Sequence, residues 1–229
     1  MLNKKSLYRT FQKSLKQISP FLSDKGDLLE VGSYCGFFLD TFTKKYKSWN
    51  YIGIEPSKWA AEYARSQLNI NTRTGTLEDN IKDFSSNYDA VVAWDVLAHL
   101  SDPSAFLTQT NSIMKQNGVF CFSTLDIDNW IPKIMGKHWP WLMEMHLFYY
   151  KTKTTEQLLN KAGFKILRSE KYVHYVSIHY LVSKIIAILP GWLEKPLNVS
   201  RSAMPQKIMI PISFGDNKLY ICEKVKVVN

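Results

Sequence analysis

Cysteine is scarce in this chain of 229 residues: Cys35, Cys121 and Cys222 are the whole complement, with no C-x-x-C pair. An odd, scattered set of thiols supports neither a disulfide framework nor a cysteine zinc site, and it fits a reducing cytoplasm. Long apolar runs are missing too. The most apolar window, Tyr175 to Leu189, is shorter than the ~20 residues that span a bilayer, and the basic N-terminus, residues 1–17, lacks the unbroken apolar stretch of a secretory signal. There is no G-x-x-x-x-G-K-[ST] phosphate loop and no G-x-S-x-G nucleophile motif. The five histidines are scattered, and Asp126 and Asp128 have no histidine near them, so no metal site is expected. Acidic residues are the minority, 20 against 29 lysines and arginines, and the formal charge of +9 favours anionic partners.

What is present alternates between strand and helix. Lys5 to Ile18 spaces Leu7, Phe11, Leu15 and Ile18 as an amphipathic helix, ended by Pro20. Asp27 to Gly32 predicts a strand running into a glycine turn, and Phe37 to Tyr46 a helix. Tyr51 to Glu55 and Ser57 to Arg65 repeat the unit, with Ser57 placed as a cap. Tyr88 to Ala93 opens a third cycle, whose helix carries Phe106, Leu107 and Ile113 and is expected to stop at Asn117-Gly118. Val119 to Thr124 is the next strand, Asp126 to Tyr150 a long aromatic loop of functional character. Thr154 to Ala162 predicts a helix closed by Gly163, followed by the strand Phe164 to Arg168 and a last strand at Asn217 to Glu223. This alternation predicts an α/β fold with parallel strands. The expected division is an N-terminal amphipathic helix (1–24), a core (25–170), an apolar helical insertion or lid (171–211) and a C-terminal strand completing the sheet (212–229).

In an open α/β sheet, ligands bind beyond the carboxyl ends of the strands, which directs attention to Glu30-Val-Gly32-Ser33-Tyr34-Cys-Gly36. Gly32 and Gly36 would let backbone approach a ligand, and Glu55 at the end of the second strand could accept hydrogen bonds from both hydroxyls of a ribose. A dinucleotide fingerprint would need glycine at 34 and 37, where Tyr34 and Phe37 stand, so NAD and FAD are disfavoured. Over roughly residues 25–170 the sequence resembles the class I S-adenosylmethionine-dependent methyltransferases. The segments that carry the resemblance are 28–38, 51–57, Gly75-Thr-Leu77-Glu78, 88–103 with Asp95 and His99, 115–118, and 146–164. The resemblance implies S-adenosyl-L-methionine as cofactor, held by Glu30, Gly32, Ser33, Tyr34, Gly36, Glu55, Leu77, Glu78 and Asp95. It also implies a doubly wound, mostly parallel seven-stranded sheet with helices on both faces and an antiparallel last strand. Tyr34 departs from the family, which usually has glycine there, and this bears on the shape of the cofactor pocket.

Methyl transfer asks mainly for positioning, and for a base if the acceptor is a hydroxyl. His146 and His99 are the candidates, in that order, with hydrogen bonding or helix capping as their structural alternatives. Asp95 faces either the methionine end of the cofactor or a loop contact. Trp130, Trp139, Trp141, Phe148, Tyr149 and Tyr150 either wall an acceptor pocket or form a second core. The acceptor expected is a small molecule, a sugar or a lipid-linked compound. The apolar window is read as a buried helix or lid. With Lys171, Lys184, Lys195, Arg201 and Lys207 around it, its alternative is peripheral membrane contact through 172–205 by a cytoplasmic protein. Nucleic acid is disfavoured, because the charge is spread along the chain and the N-P-P-Y-type tetrad is absent. A non-catalytic, cofactor-binding scaffold and a nucleic-acid methyltransferase are the competing functions.

Overall fold

The computed structural model describes residues 4–84, 88–179, 181–182 and 208–225. In chain order its elements are α1 (Lys4–Ile18), β1 (Gly26–Val31), α2 (Phe37–Lys45), β2 (Trp49–Glu55), α3 (Lys58–Leu68), β3 (Thr72–Thr74), α4 (Leu77–Asn80), β4 (Tyr88–Ala93), α5 (Pro103–Ile113), β5 (Met114–Leu125), α6 (Trp130–Met135), α7 (Thr152–Lys161), β6 (Phe164–Lys171), β7 (His174–Ser177), β8 (Met209–Ile212) and β9 (Asn217–Lys224). Seven strands form one sheet in the order β3-β2-β1-β4-β5-β9-β6. β3, β2, β1, β4 and β5 run parallel, and β9 lies antiparallel between β5 and β6. This is the doubly wound, mostly parallel sheet with a reversed last strand that the sequence implies.

Near-continuous apolar runs make the central strands, because both faces of the sheet are covered. Leu29, Val91, Ala93, Phe120, Phe122 and Tyr220 point into a layer closed by Leu107 and Ile113 of α5 and Leu159 of α7. Their strand neighbours Leu28, Ala90, Val92, Cys121, Leu219 and Ile221 point the other way, under Leu15 and Ile18 of α1 and Phe38 and Phe42 of α2. Each buried aliphatic or Phe side chain of this kind is worth about 1.5–3 kcal/mol. The chain order reverses between β1 and β4, so a crevice opens at their carboxyl ends.

Several expectations are corrected. Asn117-Gly118 does not stop a helix. The helix ends at Ile113 and the strand begins at Met114, so the pair sits inside β5 where the register with β4 slips between Tyr88 and Ala90, Asn117 taking φ 64°. The loop after β5 contains a short helix, α6. β3 escapes the sequence reading because three polar residues carry no period. The head of the apolar window is strand rather than helix: β7 pairs antiparallel with β8, matching His174 to Ile212 and Ser177 to Met209. Residues 178, 179, 181 and 182, which follow β7, are helical, and 180 and 183–207 lie outside the described residues. Cys35, Cys121 and Cys222 are buried free thiols.

Candidate active site

The turn after β1 is built on left-handed backbone. Gly32 has φ 70° and Gly36 φ 77°, and Tyr34 between them adopts φ 46°, the conformation a glycine would have taken there. At Gly32 close approach matters as well, since a Cβ would come within 2.6 Å of Val96 Cγ2. Both Gly32 and Ser33 donate their N–H to Ile54 O, at 2.9 and 3.0 Å, which ties the turn to the end of β2. Glu55 is held there by two backbone bonds: Tyr34 N–H donates to Oε2 at 2.7 Å and Ser57 N–H to Oε1 at 2.8 Å. A carboxylate oxygen accepts two hydrogen bonds, so each retains a direction for a hydroxyl. The Tyr34 ring is 40% exposed and leans on Trp59 of α3, centroids 6.4 Å apart, so the bend survives without glycine.

Glu30 faces the α1–α2 layer, nearly wholly buried, and its Oε2 has no hydrogen-bond partner. Burial, reinforced by the charge of Glu55, pushes its carboxyl well above the ordinary carboxylate range. Leu77 is buried in the α5–α7 layer, so it offers a ligand backbone rather than side chain, while Glu78 is exposed at the start of α4. Thr76 and Asp79 close that helix with a reciprocal capping box.

Across the crevice, Asp95 follows β4 with φ 55°. Ser123 of β5 holds it there by accepting from its N–H at 2.8 Å and donating to its Oδ1 at 2.7 Å. Asn217, at the start of β9, donates a second bond to Oδ1 at 3.0 Å, and its Nδ2 lies 3.1 Å from His174 Nε2. An amide nitrogen only donates, so the His174 Nε2 facing it carries a lone pair. This polar floor belongs to a cavity of about 180 Å³, walled by Leu125, Trp141, Met143 and Met145 and bordered by His99 and His146. Thr124 Oγ1 and Asn217 Oδ1 beside it are buried without partners. The two imidazoles are 4.7 Å apart, centroid to centroid. His99 Nδ1 lies 2.9 Å from Met145 O and His146 Nδ1 2.7 Å from Trp141 O. A carbonyl only accepts, so each Nδ1 bears a hydrogen, and the neutral form of each ring offers Nε2 as a proton acceptor.

The fold thus brings Glu30, Gly32, Ser33, Tyr34, Gly36 and Glu55 to one side of the crevice and Asp95, His99 and His146 to the other. The aromatic segment divides: Trp141 walls the cavity, Trp139 belongs to a small core with Leu125 and Ile131, and Trp130 is exposed. Ser123, Thr124, Asn217 and His174 were not legible as site residues. Asn217 is 122 positions from Asp95, and no local pattern announces such a pairing. Among the described residues, no group of three or more His, Cys, Asp or Glu side chains could hold a metal ion.

The residues present fit S-adenosylmethionine: an orphaned buried carboxyl oxygen at Glu30 suits a cationic amino group, and Glu55 suits a ribose. Sheet order, reversed β9 and this paired arrangement define the architecture of the class I S-adenosylmethionine-dependent methyltransferases. A family profile described as a methyltransferase domain matches residues 4–169, and the chain belongs to that family. The chain is 28% identical over 175 residues to a ubiquinone biosynthesis O-methyltransferase of Rhodopseudomonas palustris strain HaA2, a match covering 65% of this chain and 66% of that relative. It is 31% identical over 116 residues to the protein of the same name from Nitrobacter winogradskyi, covering 48% of this chain and 42% of the relative. Among solved structures, a SAM-dependent methyltransferase from Thermotoga maritima superposes with TM-score 0.62 at 19% identity, covering 96% of this chain and 91% of the other. One from Archaeoglobus fulgidus gives 0.62 at 14% identity, covering 95% and 94%. At those identities the likeness concerns the fold.

Proposed function

We infer that this chain transfers a methyl group from S-adenosylmethionine to a hydroxyl of a small acceptor seated in the cavity beyond β4 and β5. The observation that supports this most is the placement of a partly apolar cavity with a polar floor and two imidazoles across the crevice from the Glu30–Glu55 pair. When bound, the cofactor supplies a methyl already activated on a sulfonium, so the protein contributes alignment and removal of one proton. Glu55 would take the ribose hydroxyls, Glu30 the amino group, and the backbone around Gly32 and Gly36 the adjoining parts. Ser33, Leu77 and Glu78 would flank the adenosine, and Asp95, with Thr124 and Asn217, would orient the acceptor hydroxyl. Nε2 of His146 or His99 would accept its proton. A flat hydroxylated ring suits the Trp141 and Leu125 walls, and the name shared by the two relatives favours an O-acceptor. Sugar-containing and lipid-linked acceptors carry such hydroxyls too.

The test is calorimetric titration with S-adenosylhomocysteine, followed by radiolabelled methyl transfer to a panel of hydroxylated aromatics and sugars. Glu55→Ala should weaken binding by about 1–3 kcal/mol, since its polar partners are orphaned. His146→Gln should lower turnover about 10²-fold or more with unchanged binding. Equal affinity in the Glu55 variant removes that carboxylate from the ribose, and binding without transfer to any acceptor favours a non-catalytic scaffold.

A further inference from the structure

The outer face of α6 has no role in the crevice and an unusual composition for solvent. α6 buries Ile131 and Met135, one turn apart, against the small core around Trp139. The adjoining face presents Trp130, 59% exposed, and Ile134, 75% exposed. Lys133 is exposed on the same stripe, because positions i, i+3 and i+4 line one face, and Lys137, in the separate turn that follows the helix, is exposed as well. No aspartate or glutamate occurs from residue 129 to 143. The segment runs on to Trp141, Met143 and Met145 of the cavity wall, and Leu142 and Met145 there are also exposed, at 53% and 62%, Leu142 outside the cavity.

We propose that this stripe docks the protein on the surface of an anionic lipid bilayer, Trp130 and Ile134 entering the headgroup boundary while Lys133 and Lys137 meet the lipid charges. An aromatic and an aliphatic anchor flanked by two cations is the chemistry of an interfacial helix, and the chain's charge of +9 complements such a surface. Two helical turns cannot supply the roughly 800 Å² per partner that a stable protein interface takes. Among the described residues no helix is long and apolar enough to cross a membrane, so the contact is peripheral. The stripe belongs to a different segment of the sequence from 172–205, and docking through it is independent of methyl transfer.

The experiment is co-sedimentation of the full chain with vesicles of phosphatidylcholine and phosphatidylglycerol at 3:1, against phosphatidylcholine alone, at low salt and at 0.15 M. Wild type should sediment with the anionic vesicles, and Trp130→Ser with Ile134→Ser should weaken that partitioning at least about tenfold. Lys133→Gln with Lys137→Gln should reduce the preference for anionic over neutral vesicles by about 30-fold. All substituted side chains are exposed, so the variants should melt with wild type and bind S-adenosylhomocysteine equally. Wild type remaining in the supernatant, or both variants sedimenting as wild type does, overturns the proposal. So does self-association through Trp130, seen by sedimentation velocity, in place of vesicle binding.

Discussion

Glu30 and Glu55 are both carboxylates, yet their surroundings separate them. Glu55 receives two backbone N–H bonds at the rim of the crevice, whereas Glu30 is buried with one oxygen unpartnered. The raised value of Glu30 means that the folded, cofactor-free state holds a proton the unfolded chain gives up near pH 4.3. Its contribution to stability is therefore complete below that pH and is lost as the pH rises through the raised folded value. Thermal melts of the cofactor-free protein should fall in midpoint from pH 5 to pH 8, and Glu30→Gln should flatten the decline and exceed wild type at pH 8 by at least about 1 kcal/mol. A variant that tracks wild type across this range would mean that Glu30 ionises without cost. Glu30, Gly32 and Glu55 stand out in the sequence because a strand end, a glycine bend and a carboxylate are local signals, and the structure brings them together at one end of the sheet. The sequence reading missed Ser123 and Asn217, which matter only as the clamp on Asp95.

At the scale of elements, the walls of the cavity depend on how the segment after β5 is tied to the strands behind it. Asp126, buried at the end of β5, meets Lys218 of β9 at 2.6 Å and accepts from Thr152 at the start of α7 at 2.9 Å. Its N–H donates to Asp216 O, and Asp216 in turn accepts from Trp139 Nε1 at 2.8 Å. One carboxylate thus joins β5, β9 and α7. Lys218→Met should destabilise by about 3 kcal/mol, the lower end for a broken buried pair because the lysine is a quarter exposed. Urea unfolding would measure this, and a loss below ~1 kcal/mol would show that the pair is replaceable by solvent. Helix spacing made α1, α2, α3 and α7 legible, and Ser57 caps α3 as expected, accepting from Ala60 N–H. The reading failed at Asn117-Gly118, where turn-forming residues sit inside a strand because pairing with β4 absorbs them as an irregularity.

For the molecule as a whole, α1 is the seal of one side of the sheet. Leu15 and Ile18 are buried beneath it, Phe11 packs edge-on to Phe38, and Thr10 Oγ1 accepts from Tyr175 N–H of β7 at 2.9 Å. Deleting residues 1–18 should cost about 3–6 kcal/mol from the two aliphatic side chains alone, on the order of 6–12 °C in melting temperature. Calorimetry of the shortened chain would check this, and an unchanged midpoint would make the helix an appendage. The sequence by itself determined the class of fold, because hydrophobic period and turn chemistry are local and state which segments are strands, which are helices and where glycine bends the chain. It also singled out Glu55, which the structure places beside the glycine turn that it was read with. Only the tertiary structure decided the cavity across the crevice. Asp95, Ser123, Asn217, Trp141 and His146 come from β4, β5, β9 and the segment between β5 and α7, and a cavity among distant strands exists only once the sheet has assembled and packing has fixed their order.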